Sequence, residues 1–104
     1  MNQNAGTNLP PEVLDEWLQE LVALLELRQH VDPHTDIDAV LDLTRHVSHA
    51  VVRPAGPLAM FALGLLLGAR VGPGEPVAPA IAEIAPRIRA LADEQGAAMR
   101  KQME

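Results

Sequence analysis

The chain lacks cysteine entirely, and only two of its 104 residues are aromatic, Trp17 and Phe61. Without cysteine there is no disulfide framework, no thiolate nucleophile and no zinc knuckle. Cationic residues are also scarce: 8 Lys and Arg stand against 14 Asp and Glu, a formal net charge of −6. A nucleic-acid binder needs a basic face to neutralise phosphates, so the charge balance argues against that class. No long hydrophobic run is present. The longest uncharged stretch, 54–69, has 16 residues, short of the ~20 that span a bilayer as a helix. The N-terminus MNQNAGTNLPPE has neither a basic n-region nor an apolar h-region, so no signal peptide is expected and the expected compartment is the cytoplasm.

What remains is one domain's worth of apolar, helix-forming sequence. At 48% hydrophobic residues a core is within reach. Residues 1–9 are small and polar and are expected to be disordered; a single helical domain is expected over 10–96. Pro10-Pro11 opens a first helix, about 11–28, with Leu14, Trp17, Leu18, Leu21 and Leu25 on one face. Thr35 or Asp36 caps a second, in which Thr35 and Asp38 resemble a capping box; Pro54 ends it near Val52 or Arg53. Its apolar face is Ile37, Val40, Leu41, Thr44, Val47 and Val51. Gly56-Pro57 restarts the chain as a third helix, about 57–70, apolar on every side. Such a helix is expected to be central and buried. Gly64 and Gly68, one turn apart, are expected to let a neighbouring backbone pack closely.

After the turn-rich Val71–Pro76, Val77, Ile81, Ile84, Ile88 and Leu91 form the seam of a fourth helix. Pro86 is expected to kink it; either Gly96 ends it or the helix frays onward through Met99 to Met103, with 97–104 as a fraying tail. No strand-like alternation and no internal repeat occurs. The fold class is therefore all-α: a small four-helix bundle around helix 3, with Trp17 as its one large ring. So apolar a helix strains the covering capacity of a short chain. Self-association through helix 4 or helix 1, as a homodimer, is one expected partner mode; another protein is the other. No nucleic acid, membrane, cofactor or metal is expected.

Chemistry concentrates at the end of helix 2: Asp42, Arg45, His46, His49 and Arg53, followed by the hinge Pro54, Gly56 and Pro57. On a helix His49 faces both Arg45 and Arg53, and Arg53 ends beside the free N–H groups of the next helix start. Arg45, His46, His49 and Arg53 are thus candidate ligands for a phosphate or carboxylate. The competing reading is structural, with Arg53 capping the last carbonyls of helix 2. A metal reading of His46-x-x-His49 with Asp42 is opposed by the two arginines. His30 and His34 are read as loop histidines. A Ser-His nucleophile is improbable, because the only serine, Ser48, lies beside Thr44 and Val52. No glycine-rich phosphate loop is present, and no catalytic residue is assigned.

The run DEWLQELVALLEL, followed by IDAVLDLTRHVSHAVVRPAGPLAMFALGLLLG, resembles a small actinobacterial all-helical domain family of unknown function. The shared features are Trp17-Leu18, Leu41-Asp42-Leu43, His49, Val51, Arg53-Pro54-Ala55, Pro57-Leu58, Phe61, Gly64 and Gly68. The resemblance covers roughly residues 12–92. Members of that family look like stand-alone proteins or appendages to nucleotidyltransferases that attach a guanine nucleotide to molybdopterin. The resemblance therefore implies an accessory role near molybdenum-cofactor maturation; it does not imply a catalytic mechanism. The function expected is a non-catalytic helical interaction module, with binding of a nucleotide or pterin phosphate at His49 and Arg53 as the alternative.

Overall fold

The computed structural model describes residues 11–104 and contains four helices: α1 (Pro11–Leu24), α2 (Thr35–Ala50), α3 (Ala55–Arg70) and α4 (Ala78–Met103). The expected all-α four-helix bundle is the fold. The expected disorder of residues 1–9 lies outside the described residues. Among the described residues extensive helix packing is confined to α2 against α4 and α2 against α3. The helices form a slab only 17 Å thick across its Cα atoms.

Each boundary has a local cause. α1 stops four residues short of the expected end because Glu26 turns into the left-handed region (φ 56°). The Leu27 N–H then donates to the Val22 carbonyl at 2.9 Å and the Glu26 N–H to the Ala23 carbonyl at 3.1 Å. This is a Schellman ending with glutamate where glycine is usual. The start of α2 is fastened by Asp32. Its Oδ1 accepts from the N–H groups of His34 (2.8 Å) and Thr35 (3.3 Å), while Asp36 Oδ2 accepts from the Asp32 N–H at 2.8 Å. These two backbone bonds, His34 first, hold the Asp32 carboxyl below its ordinary pKa of 3.8. The reciprocal cap thus sits upstream of the expected Thr35–Asp38 pair. α4 runs through Pro86 and past Gly96 to Met103 as one helix, the longer of the two expected endings.

The core lies where α2 meets its two neighbours: Leu43, Val47, Leu63, Ile84 and Ala92 are buried, with Ala59, Met60, Leu67 and Ile88 half-buried around them. Among the described residues Leu43 alone is wholly enclosed. Two glycines make these approaches possible. A Cβ on Gly56 would collide with Ser48 Oγ and stand 2.7 Å from the Thr44 carbonyl oxygen. A Cβ on Gly96 would collide with the Ala50 carbonyl oxygen.

Three expectations about the core are corrected. α3 is not enclosed: Leu58, Phe61 and Leu65 are 67%, 69% and 64% exposed, and α2 is the helix flanked on both sides. Trp17 is 58% exposed and takes no part in the core, because no other helix packs extensively on α1. The α4 seam passes to Ala92 and Gly96, leaving Leu91 exposed.

Candidate functional site

The polar corner expected from the sequence is dispersed by the fold. Arg45 Nη1 donates to Asp42 Oδ1 at 2.8 Å along the exposed side of α2, an ion pair of small energetic weight. His46 turns to α4 instead. With its proton on Nε2, the ring donates to Asp93 Oδ1 at 2.8 Å and accepts from Arg89 Nη1 at 3.4 Å through Nδ1. His49 and Arg53 are exposed, and their side chains make no hydrogen bond or ion pair among the described residues. The α2 terminus is capped by Arg100 of α4, whose Nη1 donates to the Ala50 carbonyl at 2.8 Å. Arg53 was expected in that place; it contributes only its own carbonyl, which accepts from Ser48 Oγ at 2.8 Å.

At the hinge, Pro54 is already helical (φ −66°, ψ −16°), so α3 begins at Ala55, with Gly56 buried and Pro57 exposed in its first turn. Among the described residues no group of three or more His, Asp or Glu side chains could hold a metal ion.

The best-formed concavity lies at the other end of α3. A groove of about 420 Å³ runs between the second half of α3 (Gly64, Leu67, Gly68) and the start of α2 (Ile37, Val40), closed by Leu27, Val31, Val71, Val77 and Ile81. Two polar groups border it, His30 and the buried Asp36. Both are already engaged. His30 Nδ1 donates to the Glu75 carbonyl at 2.5 Å and its own carbonyl accepts from the Val77 N–H at 2.8 Å, so His30 fastens the α1–α2 loop to the α3–α4 loop. Asp36 accepts from the Asp32 N–H. A second, more open depression borders the groove at Arg28, Pro33, Thr35 and Pro76. Neither concavity is lined by Arg45, His46, His49 or Arg53.

The outward side of α3 continues from the groove. Gly64 and Gly68 meet no atom within 4 Å of an added Cβ, and beside them stand Leu58, Phe61 and Leu65. At 100° per residue Phe61, Gly64, Leu65 and Gly68 share one face, about 120° round the helix from the Gly56, Met60, Leu63 and Leu67 stripe that packs inward.

The signal for this face was present in the sequence, in a helix with no charge before Arg70; apolarity alone does not say whether the covering element belongs to the same chain.

The fold and this face together define a small all-α helical-bundle domain with an uncovered apolar side. The chain belongs to the family described as a domain of unknown function (DUF6457), whose family model matches residues 9–100. No curated protein and no solved structure matches it. Among the described residues no helix is long and apolar enough to cross a membrane.

Proposed function

We propose that the chain is a non-catalytic interaction module that docks a protein through the outward face of α3. The observation that carries this reading is the continuous exposure of Leu58, Phe61 and Leu65 beside Gly64 and Gly68 on a helix with no charge before Arg70. Isolated exposed leucines need no explanation, whereas a contiguous apolar patch on a folded domain marks a contact surface. The setting we propose is molybdenum-cofactor maturation, which rests on the resemblance carried by Arg53-Pro54-Ala55 and Pro57-Leu58. A photoreactive phenylalanine analogue placed at position 61 tests the docking. It should form a discrete protein–protein adduct in cell extract, lost when Leu65→Ser is added. Reaction with solvent alone would sink the reading.

The second reading is an anion site at His49 and Arg53. It is favoured by two side chains without partners among the described residues, Arg53 two residues and His49 six residues before the start of α3. Inorganic phosphate should then raise the melting temperature of the wild-type chain and not that of Arg53→Ala. Equal shifts in the two proteins would reject it.

A further inference from the structure

We infer that the occupant of the α3 face is a second copy of this chain, paired antiparallel about a two-fold axis that crosses α3 between Gly64 and Leu65. The inference rests on the docking reading above and names its partner.

Two observations converge on it. The first is the order of large and small residues. A two-fold axis at that point brings position 61 of each copy opposite position 68 of the other, and position 65 opposite position 64. The exposed Phe61 and Leu65 therefore each meet a glycine, and those glycines are the two that have open space where a Cβ would stand. An isologous interface requires this reciprocity, in which residue i meets j and j meets i. Large-on-small pairing is also what allows two helices to close to packing distance. Gly64 and Gly68 border the groove as well, so each Phe61 ring comes down at the mouth of its partner's groove.

The second observation is charge. The chain carries a formal charge of −6, yet 54–69 contributes none of it. A copy of the same stripe leaves no charge unpaired at the contact and keeps the acidic surfaces outside it.

Because the chain has no cysteine, cross-linking reads the geometry directly. Phe61→Cys combined with Gly68→Cys should oxidise to a covalent dimer at high yield. The two positions are seven residues apart in one helix, about 10 Å, so the pair cannot close within one chain. Phe61→Cys alone should dimerise far less, because the axis holds the two copies of position 61 about 10 Å apart. Light scattering of the unmodified protein should give twice the 11.2 kDa chain mass, and Leu65→Glu should halve it while the helical circular dichroism is kept.

A monomeric mass at high micromolar concentration overturns the inference. So does equal cross-linking of the single and double cysteine variants. A position-61 adduct of a mass other than two chains overturns the second copy and leaves the docking reading standing; absence of any adduct removes both.

Discussion

Two pairs of glycines on this chain do opposite things. Gly56 and Gly96 are buried, each pressed against the backbone of α2. Gly64 and Gly68 are exposed and face nothing within 4 Å. The first pair lets α3 and α4 come close to α2, which sits between them. The second pair leaves a smooth surface beside Phe61 and Leu65. Glycine in a helix interior costs about 0.5–1 kcal/mol relative to alanine. The internal pair offsets that cost within the monomer, and the outer pair does not.

The largest effect expected from this contrast is Gly96→Ala. Its Cβ meets the Ala50 carbonyl, and overpacking against a rigid backbone outweighs the gain in helix propensity by about 2 kcal/mol. The chain should lose on the order of 10 °C in melting temperature. Gly68→Ala, made at a concentration where the chain is monomeric, should instead stabilise it by about 0.5–1 kcal/mol. Thermal denaturation with the same sign for both substitutions would break the comparison.

The polar corner sets up a second contrast. His46→Ala removes the link from α2 to Asp93 and Arg89 and should cost about 1 kcal/mol in urea titration. Arg53→Ala, at an exposed side chain without a partner, should stay within about 0.5 kcal/mol of wild type. A larger loss for Arg53→Ala would restore the structural role that the sequence suggested for it.

Smaller still is Glu26→Gly. The left-handed conformation of Glu26 disfavours any residue with a Cβ, so glycine there should add about 0.5 kcal/mol after its greater unfolded-state entropy is counted.

The last prediction concerns pH. Folding lowers the Asp32 pKa below 3.8, so its contribution is present above 3.8 and is lost as pH falls further, through the folded value. Asp32→Asn keeps the capping acceptor without the titration. The gap in melting temperature between wild type and this variant should therefore narrow as pH drops below 3.8; a gap constant from pH 6 to pH 2 would contradict the assignment.

Helix existence and order were legible because apolar spacing and proline punctuation agree. Pro54 ends α2, Pro73 and Pro76 separate α3 from α4, and Val77, Ile81 and Ile84 are buried as their spacing implies. Other features depend on tertiary contact or on chemistry without a residue signature. Glu26 occupies a position where glycine is the usual cue, so the early end of α1 was hidden. Gly96 looks like a helix stop from its neighbours and is a crossing point only because Ala50 lies against it. α3 reads as buried because it is apolar all round, yet the chain has only α2 packed extensively on it. The four cationic or imidazole side chains near the end of α2 suggest one cluster by helical spacing. Asp93 and Arg89 on α4 draw His46 away from it, and those partners lie more than 40 residues along the chain.

The central claim is that α3 has one face covered by its own chain and one covered only by association. Thiol labelling of Leu63→Cys and Leu65→Cys as a function of protein concentration tests it most directly. Position 63 is 4% exposed and position 65 is 64% exposed. The variant at 63 should label slowly at every concentration, whereas that at 65 should label fast when dilute and become protected as concentration rises. Equal rates at the two positions, or slow labelling of both at high dilution, would contradict the account.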